Sequence, residues 1–268
     1  MYKLIATDMD GTLLTNKSLI PENNKNAIIK AQQKGCKFAL ASGRPIEAMK
    51  SFAKELKMKD YEGYIVAFNG GQIFDCKTEE TIFLKGLSRE DVIYFYNLAK
   101  KLGVTIVTYI DKFIYTDCIN EYSKIESRIT KLELKEIEDI YKLDLSAIVK
   151  CMFISSESKI KQCYEKLAKE IGDKYYLAIS DPHFIEIANK DISKGVAIKK
   201  LCDIININLN DVIACGDSYN DLAMLEEVGL PVAAGNSNED IKKKCKYTAV
   251  TNEDGVLADV IDKFIIWF

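Results

Sequence analysis

A chain of 268 residues, 48% hydrophobic and 29% charged, is long enough for a sizeable core and for two domains. A net charge of −3 supplies no basic footprint for nucleic acid. No stretch approaches the roughly 20 apolar residues of a membrane span, and the short apolar N-terminal run, interrupted by Asp8 and Asp10, does not read as a signal peptide. The eight cysteines are scattered and none forms a C-x-x-C pair. With His183 the only histidine, zinc-site spacing is absent. The thiols read as reduced, in a cytoplasmic protein, with Cys151, Cys202 and Cys215 in apolar runs and expected in the core.

Residues 3–8 read as a buried strand, and residues 22–34 as a helix after Pro21 that ends near Gly35. Residues 36–41 form a second strand; Ser42-Gly43-Arg44-Pro45 follows it, and a helix then runs to about Leu56. Residues 64–68 are a third strand, which Asn69-Gly70-Gly71 turns into a hairpin. This β-α-β-α-β order predicts a parallel sheet with covering helices. The middle has a different texture. It reads as a helix over 88–102, strands over 104–109 and 113–115, and a charged segment over 119–144 with helical stretches. A strand from Ile148 to Ile154, a helix over 157–171 and a strand from Tyr175 to Ser180 complete it. Paired strands with intervening helices predict an α+β insert of roughly 100 residues. Alternation then resumes. A helix from Ser193 to Cys202 leads to a strand over 211–216, a short strand within 228–234, a helix over 238–244, strand character at 248–250 and a final helix over 253–266. The apolar end Phe264-Ile265-Ile266-Trp267-Phe268 could pack at an interface, and is expected to close the core of its own domain.

The chemistry-bearing residues fall at the ends of these elements. Leu4-Ile5-Ala6-Thr7 delivers Asp8 and Asp10 to the carboxyl end of the first strand, where Gly11 turns the chain. Side chains two apart on an extended strand point the same way, so the two carboxylates can converge. They repel unless a cation lies between them or one holds a proton. Either condition suggests a magnesium site or a nucleophile beside an acid–base group. A calcium loop counted from Asp8 would put Leu19 where the closing Glu belongs, so that reading fails; an ordinary surface turn is the other alternative.

Ser42, between strand and helix, can make an anion site with the N–H groups around it, or simply cap the helix that begins near Pro45. Gly43 would permit close backbone approach. Arg44 either reaches a second anionic or hydroxyl-bearing group or is a solvated surface residue. Lys194 lies at a helix start, the unfavourable end of the dipole for a cation. That placement makes sense if the ammonium faces an anion; a solvent-exposed lysine is the alternative. Asp217 ends another apolar strand and can add a third carboxylate. Asn220 can donate to a phosphate oxygen, and Asp221 can orient Lys194 or a metal-bound water; an Asp-rich helix start favoured by the dipole is the alternative. Carboxylates, a backbone carbonyl and waters suit magnesium. These positions lie at carboxyl ends of predicted strands or adjacent helix starts, where open α/β sheets bind ligands.

Asp8-Met9-Asp10-Gly11-Thr12, Ser42-Gly43-Arg44-Pro45, Phe68-Asn69-Gly70-Gly71, Ser193-Lys194-Gly195 and Gly216-Asp217-Ser218-Tyr219-Asn220-Asp221 occur in this order. In them the chain resembles the haloacid dehalogenase superfamily, specifically the Cof-type (subfamily IIB) phosphatases with a large insert cap. Ala234-Gly235-Asn236 and Glu253-Asp254-Gly255-Val256 extend the match over essentially the whole chain, with Ala234 and Ser237 standing where Met and Ala are commoner. The resemblance implies an α/β fold, a Rossmann-like parallel-sheet core of residues 1–82 and 187–268 with an inserted α+β (C2B-type) cap over residues 83–186. It implies a Mg2+-dependent phosphatase of small phosphorylated metabolites, such as sugar phosphates, acting through an aspartyl-phosphate.

On that resemblance Asp8 would be the nucleophile, and Asp10 would protonate the leaving alcohol and then activate water. Mg2+ would be held by Asp8, Asp217 and the backbone carbonyl of Asp10. Ser42, Lys194 and Asn220 would hold the phosphoryl oxygens. Thr12, Gly43 and Arg44 would also border phosphate or substrate, with Asp221 in support. The cap would exclude water. Its candidate specificity loop is Ser180-Asp181-Pro182-His183-Phe184, where His183 either touches substrate or has no role. Tyr109 and Tyr115 could face a substrate, but aromatic residues in short strands belong more often to the core. The expected partner is a small phosphorylated metabolite, without nucleic acid or membrane, and the expected state is a monomer or weak homodimer. Two readings compete. A phosphomutase would return the phosphoryl group to the substrate, and free phosphate separates it from a phosphatase. A non-catalytic sensor of a phosphorylated ligand sits poorly with intact Asp8 and Asp10.

Overall fold

Leu4–Thr7 (β1) is buried at every position, as a strand covered on both faces must be. The chain continues through α1 (Glu22–Gln33), β2 (Lys37–Ala41), α2 (Ile46–Glu55), β3 (Tyr64–Ala67), β4 (Gln72–Asp75) and β5 (Glu80–Leu84). There follow α3 (Arg89–Leu102), β6 (Thr105–Ile110), β7 (Phe113–Thr116), α4 (Glu121–Thr130), β8 (Glu133–Glu136), β9 (Lys150–Ile154), α5 (Glu157–Ile171), β10 (Tyr175–Asp181) and β11 (Phe184–Asn189). The last stretch holds α6 (Lys194–Ile205), β12 (Val212–Gly216), α7 (Leu222–Leu225), β13 (Leu230–Ala233), α8 (Glu239–Lys244), β14 (Tyr247–Thr248) and α9 (Val256–Phe264). This computed structural model describes residues 2–265.

The chain forms two units. Met1–Phe83 and Ser193–Phe268 make the first, Leu84–Ile192 the second. The first holds an eight-stranded sheet in the order β14-β13-β12-β1-β2-β3-β4-β5. From β14 to β3 the ladders are parallel, and β4 returns antiparallel to β3. The chain leaves β1 toward β2 on one side and comes back at β12 on the other. β1 therefore sits at the switch point of the strand order, where a crevice opens beyond the carboxyl ends. Alternate residues of the central strands, Leu4 and Ala6 with Ala39 and Ala41, Val66, Val212 and Ala214, pack against Ala197, Ile198 and Leu201 of α6 and Met224 and Leu225 of α7.

Beneath β1, Asn24 of α1 is fully buried. It donates to the Leu13 carbonyl at 3.3 Å and accepts from the Ala258 amide at 2.9 Å. One side chain thus ties the loop after β1 to the start of α9.

The second unit holds a six-stranded sheet, β10-β11-β9-β6-β7-β8, antiparallel except for the β7–β8 pair. Phe95 of α3, Phe153 of β9, and Ile160 and Leu167 of α5 are buried at its apolar core. Phe95 makes edge-on contacts with Phe153 and Tyr175, at 6.4 and 4.9 Å between ring centroids. A reciprocal capping box between Ser88 and Asp91 starts α3.

Three sequence expectations change here. β11 was not foreseen: it pairs with β10 and β9 together, so the second unit runs on to Ile192 and does not stop at residue 186. Residues 180–184 are consequently no free loop, since Asp181 ends β10 and Phe184 begins β11, leaving a tight turn around Pro182 and His183. The charged 119–144 segment contains β8 as well as helix, because β7 offers β8 a parallel edge. Tyr109 is buried, as expected for a core aromatic. Of the terminal apolar run, Phe264 ends α9 and Ile265 is buried; residues 266–268 lie outside the described residues.

Replacing Asn24 by Ala strands the Leu13 carbonyl and the Ala258 amide at a buried site. Stability should fall by about 2 kcal/mol, read as a lower urea midpoint with an unchanged m-value.

Candidate active site

Four strand ends of the first unit supply the site. Asp8 follows β1, Ser42 follows β2, Asn69 follows β3 and Asp217 follows β12. The backbone fixes their order. The Asp8 amide donates to the Cys215 carbonyl at 2.9 Å, the Ser42 amide to the Val66 carbonyl at 2.9 Å, and the Asn69 amide to the Ser42 carbonyl at 2.9 Å. Each loop is thus an extension of the ladder beneath it.

Lys194 is the hub. It is the first residue of α6, capped by Ser193, and its side chain is wholly buried. The ammonium donates to Oδ1 of Asp8 and, at 2.6 Å, to Oδ1 of Asp221. Asp221 is also fully buried, and its Oδ2 accepts the amides of Asp217 and Ser218, each at 3.0 Å. Both oxygens of Asp221 are therefore committed to protein donors. Asp217 takes the Thr12 hydroxyl at 2.7 Å on Oδ1. Thr12 is fully buried, and this hydrogen bond makes its hydroxyl a support for the Asp217 carboxylate. Gly11 has φ +83°, and a Cβ there would lie 2.5 Å from Oδ2 of Asp217. Only glycine satisfies both the backbone and the space.

Asp8, Asp217 and Asp221 offer carboxylate oxygens within 4.8 Å of one another. Burial, with Asp221 and Asp217 adding to it and Lys194 opposing, pushes the Asp8 carboxyl up to about 8. Burial also raises Asp217, against the hydrogen bond from Thr12. Burial works against the Lys194 charge, but the Asp8 and Asp221 carboxylates outweigh it and hold the ammonium above its ordinary value. One ammonium does not balance three carboxylates. The excess negative charge, on hard oxygen donors, fits a divalent cation of the magnesium class. With both oxygens of Asp221 on protein donors, Asp8 and Asp217 are the members of the trio that could hold such an ion.

Asp10 stands apart from this trio. Its half-exposed carboxylate takes a two-point clasp from Arg44, Nε to Oδ2 at 2.9 Å and Nη2 to Oδ1 at 2.7 Å. The Asp10 side chain is therefore not among the clustered carboxylates. Ser42 is buried, and its hydroxyl accepts the Arg44 amide at 3.3 Å. Asn220 donates to Oδ1 of Asn69 at 3.2 Å. Asn69 was quoted in a motif but given no place in the site. It and Phe68 both hold left-handed backbone, φ 54° and 52°, and a Cβ on Gly43 would lie 3.1 Å from Asn69 Nδ2. Consecutive positive-φ residues without glycine, one of them aromatic, are a strain signature at a functional turn. The sequence signal is Asn-Gly-Gly itself, which reads as a hairpin turn and as one of the motifs of the family resemblance. His183 belongs to the second unit, with Nδ1 3.0 Å from the Ser155 carbonyl and its ring 5.1 Å from that of Tyr122.

The model of the haloacid dehalogenase-like hydrolases matches residues 5–261. The chain belongs to this family and is a hydrolase of the phosphatase type. YxeH of Bacillus subtilis is 30% identical, covering 99% of each chain. The 5-amino-6-(5-phospho-D-ribitylamino)uracil phosphatase YcsE of the same organism is 29% identical over 95% of this chain and 92% of its own. Among solved structures, a haloacid dehalogenase-like hydrolase from Bacteroides thetaiotaomicron superposes with TM-score 0.92 at 31% identity, covering 98% of this chain and 99% of that one.

The folded protein holds the Asp8 proton up to about pH 8, whereas an unfolded aspartate releases it near 3.8. Between those values the folded state binds more protons, so stability of the metal-free protein should fall as pH rises. Thermal midpoints in EDTA should decline across that window. Added Mg2+ should raise the midpoint more at pH 8 than at pH 5, and Asp8→Asn should lessen both effects.

Proposed function

We propose that this hydrolase is a Mg2+-dependent phosphatase of small phosphorylated metabolites, sugar phosphates among them, acting through an aspartyl-phosphate on Asp8. The observation that carries the reading is the Lys194 ammonium clamped between Asp8 and Asp221, beside Asp217, at the switch point of the sheet. A nucleophilic carboxylate needs to be held still and to have the charge of an approaching phosphoryl group neutralised. Lys194 does both. Mg2+, held by Asp8 and Asp217, would supply the remaining positive charge that lets two anions meet.

In the first step an Asp8 oxygen attacks phosphorus and the bond to the leaving oxygen breaks. Asp10, as the acid, gives its proton to that oxygen. In the second, Asp10 as carboxylate takes a proton from water, whose oxygen attacks the phosphorus and frees Asp8 and inorganic phosphate. The clasp of Arg44 on Asp10 must open for this, which releases Arg44 toward the substrate. The Ser42 hydroxyl and the Asn220 amide hold phosphoryl oxygens together with Lys194, and Asn69 positions Asn220. We assign the second unit the part of a cap, which selects substrate and keeps water out while the acyl phosphate forms.

The YcsE name, a phosphate ester on a ribityl chain, supports a polyhydroxylated substrate here. Eight unpaired cysteines support a cytoplasmic setting. No helix among the described residues is long and apolar enough to cross a membrane. We take the protein as a monomer or weak homodimer.

The test is phosphate release from p-nitrophenyl phosphate and a sugar-phosphate panel, in Mg2+ and in EDTA. Release should need Mg2+ and fall about 10³-fold or more in Asp8→Asn. A wild-type rate in that variant, with deamidation excluded, overturns the covalent mechanism. Asp10→Asn should slow esters with poor leaving groups by about 10²–10⁴-fold and p-nitrophenyl phosphate much less. Equal losses on both would remove Asp10 from the role of acid.

A further inference from the structure

α2 joins two parallel strands, so it runs back from the Ser42 loop, at the carboxyl end of the sheet, to the amino end of β3. At that far end a cavity of about 550 Å³ opens between α2 and the β3–β4 hairpin. Its floor is apolar. Ile65 of β3 stands opposite Phe74 of β4 in the antiparallel register, Cys76 follows two residues beyond Phe74, and Ala53 of α2 closes the side. Burial first, with Asp75 and Glu79 adding and Lys50 opposing, pushes the Cys76 thiol up to about 12, so it is a neutral member of that floor.

The rim is cationic. Lys50 and Lys54 flank Ala53 on one face of α2, and Lys57 and Lys59 follow the helix end. Against these lysines the lining sets two carboxylates, Asp60 and Glu79. Glu79 is taken by Lys59 at 2.9 Å, and Lys50 pairs with Glu47 while its ammonium lies 5.2 Å from the centre of the Phe74 ring. Among the described residues, Lys54 and Lys57 pair with no carboxylate. Two ordinary explanations fall short. Lysines near a helix C-terminus complement its dipole, which accounts for Lys54 and Lys57 but not for an open apolar floor beside them. Lysine stems can also lie over apolar surface and cover it, yet here a volume within the range of small-molecule pockets stays open beside Phe74. In a chain of net charge −3, this local excess of positive charge over an apolar floor complements an anion that carries apolar surface.

We propose that this cavity is a second ligand site, separate from the Asp8 centre, for an aromatic anion: a flat apolar system of about two rings that bears a carboxylate, sulfonate or phosphate. The rings lie against Ile65 and Phe74, where offset or edge-on contact with Phe74 adds to burial. The anionic group meets Lys54 and Lys57, whose charges no protein carboxylate claims. The site lies wholly within the first unit and does not depend on the phosphatase reading.

The probe is 8-anilinonaphthalene-1-sulfonate, titrated by fluorescence against the folded full-length chain. It should bind saturably at one site. Lys54→Glu combined with Lys57→Glu should weaken it about 10-fold or more, the worth of a contact to a charged group. The same pair should leave N-phenyl-1-naphthylamine, which has the same rings without the charge, bound no more weakly than before. Lys166→Glu combined with Lys169→Glu makes an equal charge change on exposed lysines of α5 and should leave the sulfonate affinity unchanged. Lys54→Gln with Lys57→Gln removes the same charges and takes the place of the reversed pair if that pair fails to fold. Four results overturn the site: no saturable binding of the sulfonate, no loss in the Lys54 and Lys57 variants, an equal loss for the neutral amine, or an equal loss in the α5 pair.

Discussion

The first unit is organised around one buried ammonium. Lys194 has no exposure and two carboxylate partners, and each partner is fixed by something else. Asp8 is carried by β1, whose ladder to β12 continues into the Asp8 amide. Asp221 is held by the amides of Asp217 and Ser218. A buried ion pair is a poor source of stability, because desolvation consumes much of its attraction, but removing one partner leaves an uncompensated charge. The clamp therefore makes the geometry of three separate segments interdependent. Gly195 is part of the same constraint. A Cβ there would lie 2.1 Å from the Ala223 carbonyl, so α6 can approach α7 closely enough to bring Lys194 beneath Asp8 only with glycine at that position.

The clamp also leaves negative charge over. Three carboxylates gather about one ammonium, and burial with mutual repulsion pushes Asp8 to about 8 in the absence of a cation. An arrangement that disfavours its own ionised form is badly designed for stability and well designed to receive positive charge. Asp10 shows the complementary device. It lies two residues on, half exposed and clasped by Arg44, outside the clustered carboxylates. Two carboxylates from one short motif thus sit in different surroundings, one buried against Lys194 and one half exposed against Arg44.

The second unit follows a different logic. Its helices α3 and α5 bury one sheet face with aliphatic and aromatic side chains, while the opposite face carries Lys150 and Glu186 with Glu126 over them. The Lys150–Glu186 pair and the Tyr109–Glu126 bond tie β9, β11, β6 and α4 together on that face.

Much of this was legible in the chain. Alternating apolar runs and turn residues located most of the helices and strands, because hydrophobic period and turn chemistry are local properties. Asp8, Asp10, Ser42 and Asp217 drew attention because they stand at or just beyond the ends of apolar runs, which a parallel sheet brings together, and Lys194 because it is a cation at a helix start. Other features depended on partners distant in sequence. β11 is a strand because β9 and β10 flank it, and Thr12 serves Asp217 because the chain 205 residues later returns beside it. Arg44 clasps Asp10 across 34 residues, and Asn69 supports Asn220 across 151. Local sequence determined which groups would stand at the ends of strands. Only the tertiary structure decided which group each would bond, because a hydrogen bond between distant segments is set by strand order and helix approach and leaves no periodic trace in the chain.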